Sequence, residues 1–120
     1  PAVAAPAAPR PKGPVLFSPP PVETATTPRA AALAAYLKES GAKMYGAHWC
    51  SHCFNQKQQF GKSAARDIDY YECAADGVDS RRAACERRGI KGYPTWEIRG
   101  ELYPGEKTLE ELAELVGFKL

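Results

Sequence analysis

Two cysteines, Cys50 and Cys53, stand two residues apart in the run His48-Trp49-Cys50-Ser51-His52-Cys53. That spacing lets the two sulfurs meet within one helical turn. One can then exchange with an external thiol or disulfide while the other resolves the mixed disulfide. The context supports this chemistry. Lys43 to Ala47 is a short apolar run that reads as a central strand. After the motif, Phe54 and Phe60 read as the apolar positions of a helix running to about Arg66. A helix N-terminus offers free N–H groups and partial positive charge, and both stabilise a thiolate. Cys50, at the open end, is therefore assigned as the exchanging sulfur. Cys53, one turn in, is expected to be buried and resolving. His52 precedes Cys53, where an imidazolium would add positive potential and could hydrogen-bond a thiolate. That would favour the dithiol and make the disulfide more oxidising. The competing reading of His52 is a solvated loop residue.

Zinc is the rival use of a Cys-x-x-Cys pair. A structural site needs four ligands, and Cys73, Cys85, His48 and His52 are the other candidates. Cys73 and Cys85 do not form a second such pair. The first pair follows an apolar strand, so no metal is expected.

The flanking elements give a small mixed-sheet α/β domain. Thr27-Pro28 reads as an N-cap and first helical residue, opening a helix through Leu33 and Leu37 that stops at Gly41. Ile68 to Cys73 is a strand by its aromatic and β-branched content. Asp76-Gly77 is a turn, and Ser80 to Arg88 a short basic helix closed by Gly89. Thr95 to Ile98 and Glu101 to Tyr103 are strands joined at Arg99-Gly100, close enough for a hairpin. Thr108-Leu109-Glu110-Glu111 is a capping box, opening a helix with Leu109, Leu112 and Leu115 on one face that ends at Gly117. The first two strands, joined through a helix, form a parallel βαβ unit.

Residues 1–27 differ in kind. Proline, alanine and threonine dominate them, and they hold most of the 11 prolines. Such a stretch buries too little apolar surface to offset its ordering entropy and reads as a linker or arm. A docking strand centred on Val15, Leu16 and Phe17 is the alternative to a plain tether. Residues 28–120 form the domain, large enough for one modest core that a disulfide would help. The net charge of +2 gives no argument for nucleic acid or a membrane surface. No stretch is apolar enough to cross a bilayer. Four cysteines in so short a chain suit an oxidising compartment. The chain begins at Pro1, so any targeting segment is expected to be gone already.

Trp49-Cys50-x-x-Cys53, with Gly92-Tyr93-Pro94-Thr95 further along the chain, resembles the thioredoxin superfamily. The likeness extends to one branch, the thioredoxin-like domain fused to vitamin K epoxide reductase in cyanobacteria, algae and plants. Gly41 to Cys53, Gln56-Lys57 with Phe60-Gly61, Tyr71 to Cys73, Gly92 to Trp96 and Leu109 to Phe118 carry it. The resemblance implies a thioredoxin-like fold, a small mixed four-stranded sheet flanked by helices. It implies that Pro94 is a cis-proline facing the cysteines, with Tyr93 and Trp49 beside it for an extended client. It also implies a second cysteine pair, Cys73 and Cys85, readable as a structural staple or as an electron relay.

The function this resemblance implies is that of a thiol–disulfide oxidoreductase, oxidising client thiols through Cys50, Cys53, His52 and Pro94. It would hold no cofactor in this domain. Its electrons would pass to a quinone-reducing, vitamin K epoxide reductase-like membrane domain, in a chloroplast thylakoid lumen or a cyanobacterial lumen or periplasm. The buried Asp of thioredoxins is replaced by Met44, six residues before Cys50, which argues against a general reductant or isomerase. A non-catalytic subunit anchored by its proline-rich arm is the other class of function considered.

Overall fold

The computed structural model describes residues 13–120; what the sequence predicts for residues 1–12 lies outside them. Helix α1 (Pro28–Glu39) starts where Thr27 Oγ accepts the Ala30 N–H at 3.1 Å, with Pro28 at the first helical position. Its Ala30, Leu33, Ala34 and Leu37 face the core. Strand β1 (Lys43–Gly46) comes next, then α2 (Ser51–Phe60), the one-turn α3 (Lys62–Ala65) and β2 (Asp69–Glu72). Helix α4 (Arg82–Arg88), strands β3 (Thr95–Ile98) and β4 (Glu101–Pro104), and α5 (Leu109–Val116) complete the chain.

The sheet order is β2-β1-β3-β4. β1 runs parallel to β2, pairing Met44 with Tyr70 and Gly46 with Glu72. It runs antiparallel to β3, which pairs antiparallel with β4. The mixed four-stranded sheet flanked by helices is the expected thioredoxin-like architecture. Burial on both faces explains why β1 reads as an apolar run rather than an alternating one. Trp96, Met44, Leu33, Phe60 and Leu112 are fully buried at the centre. At the far end, Thr108 and Glu111 cap α5 reciprocally. The buried face of α5 is Leu112, Ala113 and Val116; Leu109 and Leu115, expected on it, are only partly buried.

Two local expectations change. The helix predicted from the cysteine motif to about Arg66 is broken at Gly61, whose φ is +86°. The arm packs against this glycine. A Cβ on Gly61 would lie 2.6 Å from the Ala25 backbone and from Thr26 Cα. The Thr26 hydroxyl then accepts the Ser63 and Ala64 N–H groups that open α3.

The described part of the arm is not the plain tether its composition suggested. Residues 13–27 hold no helix, yet they lie along the domain. Phe17 forms a parallel bridge with Gly77, donating to Asp76 O and accepting from the Val78 N–H, both at 2.9 Å. Thr24 Oγ donates to Gln58 O at 2.6 Å, and Gln58 Oε1 accepts the Glu23 N–H at 2.8 Å. Proline density predicts missing regular structure; it says nothing against side-chain and bridge contacts of this kind.

Candidate functional site

Cys50 is the N-cap of α2. Its backbone is extended, with φ −81° and ψ 116°, and its sulfur accepts the Cys53 N–H at 3.2 Å. One of the free N–H groups of the helix therefore points at this sulfur, a direct bond that favours negative charge there. The Cys50 thiol in turn donates to the Tyr93 carbonyl at 3.7 Å. Both cysteines are free thiols and both are buried, Cys50 at 8% exposure and Cys53 at 3%. Burial, followed by the hydrogen bond to Cys50, pushes the Cys53 thiol well above its ordinary range. Of the two sulfurs, Cys50 has the more exposed place and the stabilising donor.

The Tyr93-Pro94 peptide bond is cis. Tyr93 also meets Trp49 edge to face, with ring centroids 5.8 Å apart and planes at 73°. Trp49 is 65% exposed, unusual for so large an apolar side chain. Trp49 and Tyr93 wall a groove of about 420 Å³ whose other sides include Ala74, Asp76 and Arg82. Cys73 and Cys85 form a disulfide on its floor. That bond ties the end of β2 to α4.

His52 does not bond either sulfur. Its Nδ1 pairs with Glu106 Oε1 at 3.1 Å, and its side chain is 69% exposed. Any effect on the thiolates acts through space, from the first turn of α2. Glu106, on the loop between β4 and α5, also accepts from Gln59 at 3.2 Å; no local pattern marks it in the sequence.

A second group of residues, behind the cysteines, escaped the sequence reading. Glu72 is 3% exposed on β2 and fully engaged. Its carboxylate accepts the Tyr70 hydroxyl at 3.1 Å, the Ala74 N–H at 3.0 Å and the His48 N–H at 3.2 Å. Burial, then the charge of Glu72, drives the Tyr70 hydroxyl far above its ordinary range. A Cβ on Gly46 would lie 2.8 Å from Tyr70 Cε1 and 3.0 Å from Cys53 Sγ, so only glycine lets that ring and that sulfur share the space. Lys57 Nζ sits 3.5 Å from the centre of the Tyr70 ring. Gln56, fully buried, accepts from Trp96 Nε1 at 3.0 Å and from the Lys107 N–H at 2.8 Å.

The residues considered as zinc ligands are used otherwise. Cys73 and Cys85 bond each other, His48 pairs with Asp76 at 2.8 Å, and His52 pairs with Glu106. Among the described residues no cluster of three or more His, Cys, Asp or Glu is placed to hold a metal ion. Among them, too, no helix is long and apolar enough to cross a membrane.

Fold and site define the class: this chain is a thioredoxin-like domain. More particularly, the chain is similar to proteins named as a thiol-disulfide oxidoreductase and as protein disulfide isomerases. Over 102 residues, 82% of the chain, it is 46% identical to the thiol-disulfide oxidoreductase LTO1 of Arabidopsis thaliana, of which it covers 27%. Over 78 residues, 58% of the chain, it is 33% identical to protein disulfide isomerase-like 2-1 of Oryza sativa subsp. japonica, covering 21%. Similarity to the probable protein disulfide-isomerase A6 of Medicago sativa is 32% over 78 residues, with 58% and 21% covered. The chain thus spans about a quarter of the length of these relatives or less. No protein-family model matches it.

Proposed function

We propose that this domain is a protein-thiol oxidant, taking electrons from clients and passing them to a quinone-reducing membrane partner. The observation that carries the proposal is the Cys53 N–H donated to the Cys50 sulfur at the head of α2. This bond and the helix end stabilise the reduced motif, and a stabilised dithiol makes its disulfide the stronger oxidant.

In the oxidised motif a client thiolate attacks Cys50. The client–Cys50 bond forms, the Cys50–Cys53 bond breaks, and Cys53 leaves as a thiolate and takes a proton. A second client thiolate then attacks the client sulfur of the mixed disulfide, and Cys50 leaves. The client has lost two electrons and gained a disulfide; the motif is a dithiol. Trp49, Tyr93 and Pro94 would hold the client against Cys50. Reoxidation requires an acceptor, for which this reading takes a vitamin K epoxide reductase-like membrane domain whose quinone accepts the electrons. The domain itself would hold no cofactor. The likeness to the Arabidopsis thiol-disulfide oxidoreductase supports the exchange chemistry, and the branch resemblance in the sequence supports that partner and a thylakoid-lumen setting. Met44 in place of a buried acid supports oxidant over reductant.

The test is direct. The domain is equilibrated with glutathione buffers to measure its potential, and the preoxidised protein is mixed with a reduced unfolded client. Disulfide transfer to the client with a potential well above that of thioredoxin is expected. A thioredoxin-like potential with fast reduction of insulin would overturn the proposal in favour of a reductant.

A further inference from the structure

Whichever way electrons flow, Cys53 must carry negative charge for an instant. It is the leaving group when the motif is reduced and the attacking group when it is reoxidised. Burial opposes that charge, and the strand residue where a buried acid would stand is Met44, fully buried and apolar. The structure supplies a cation instead. Lys57 lies four residues beyond Cys53 in α2, so the two side chains share one face, one turn apart.

Three observations place Lys57 in the neighbourhood of the sulfur. Lys57 and Cys53 line the same cavity, of about 10 Å³, together with Cys50, His48, Ala47, Phe54 and the arm residues Pro19 and Pro20. That space holds roughly one water molecule at most, so both side chains border poorly solvated surroundings, where charge interactions are strong. Next, Tyr70 is the common neighbour. Its ring edge approaches the Cys53 sulfur beside Gly46, and its face carries Lys57 Nζ. Last, Lys57 is not consumed elsewhere. Among the described residues it takes part in no salt bridge, and the buried carboxylate in this region, Glu72, is already saturated by Tyr70, His48 and Ala74.

We propose that Lys57 is a charge-positioning residue for the exchange reaction: held on the Tyr70 ring behind the motif, its ammonium stabilises the transient thiolate of Cys53. The cation enters from the motif helix itself. Burial lowers the tendency of Lys57 to hold its proton, while the Cys53 and Glu72 charges work to restore it. The inference rests on exchange at the Cys50–Cys53 pair but not on its direction.

The reduced full chain is mixed with 5,5′-dithiobis(2-nitrobenzoate) by stopped flow. Cys50 attacks the reagent and releases the first thionitrobenzoate. Cys53 then attacks the Cys50 mixed disulfide, closing the Cys50–Cys53 bond and releasing the second. In Lys57→Gln the second release is expected to slow about tenfold, a barrier increase of about 1.4 kcal/mol, while the first is unchanged. Lys57→Arg, which keeps the charge and the stacking, is expected to retain the second phase. An unaltered second phase in Lys57→Gln, or an equal fall of both phases, would overturn the proposal. Absence of the first release from the unsubstituted protein would sink the exchange centre itself and Lys57's role with it.

Discussion

The Phe17 ring lies on the His48 imidazole, with centroids 5.3 Å apart and planes within 22° of parallel. An arm residue thereby grips the loop immediately before the cysteine motif. His48 is held from below by Asp76, whose carboxyl this hydrogen bond keeps below its usual range. Phe17 also supplies the bridge to Gly77. Phe17→Ala should therefore release the arm without unfolding the domain. An aromatic pair is worth roughly 1 kcal/mol beyond its burial, so the Phe17 and Val78 amides should exchange with solvent several-fold faster. Unchanged protection at both amides would show that the prolines, not the stacking, hold the arm.

Cys73 and Cys85 close a loop with a sequence separation of 12. In the chain-entropy account that closure contributes about 3 kcal/mol by restricting the unfolded chain. Replacing both by Ser should lower the unfolding free energy in urea by about that amount. Thionitrobenzoate release by Cys50 should persist in the folded variant, because the staple lies beneath the groove and not between the reacting sulfurs. Loss of exchange in a variant that still folds would instead assign Cys73–Cys85 a relay role.

Glu97 on β3 receives Arg88 Nε and lies 3.5 Å from Lys43 Nζ. Burial works to raise its carboxyl, but Arg88 and Lys43 outweigh it and hold the group below its ordinary value of 4.5. A depressed folded-state value contributes stability above the unfolded value, lost as pH falls through the folded one. Glu97→Gln should cost about 1 kcal/mol near neutrality, as expected for a partly exposed pair network. The difference from the unsubstituted protein should shrink below about pH 4. Thermal melts across that range decide it; a constant difference would mean that packing, not charge, is what Glu97 contributes.

What the sequence disclosed and what it withheld divide along the range of the interactions. The capping box at Thr108, the N-cap at Thr27 and the cysteines at a strand-to-helix junction are local, and short-range chemistry writes them into adjacent residues. Gln56 is not local. It looks like a surface residue of a polar helix, and only its bonds to Trp96 and Lys107, 40 and 51 residues away, make its burial tolerable. Glu72 is a mixed case: its partners Tyr70 and Ala74 are two residues away, and only the His48 N–H, 24 residues away, is brought to it by the fold. At Gly61 the glycine is a local stop signal, but the segment packed against it, Ala25 and Thr26, comes from outside α2. Lys57 is the intermediate case: its four-residue offset from Cys53 is visible in the sequence, but its seat on Tyr70 is not.

His52 gives the last prediction. It lies in the first turn of α2, close to both cysteines in sequence, yet its ring is turned to Glu106 and not to a sulfur. Its influence is then that of an exposed charge near a helix end, worth roughly 0.3 to 1 kcal/mol. For a two-electron couple, 30 mV corresponds to about 1.4 kcal/mol. His52→Ala should therefore lower the potential of the motif by only about 5 to 20 mV. The sign comes from the reduced state, which loses a cation near its thiolate. Glutathione equilibria of both proteins are the measurement. A fall of about 60 mV or more would correspond to roughly 3 kcal/mol, too much for an exposed imidazole acting through space. It would mean that the ring leaves Glu106 and bonds the thiolate directly in the reduced motif.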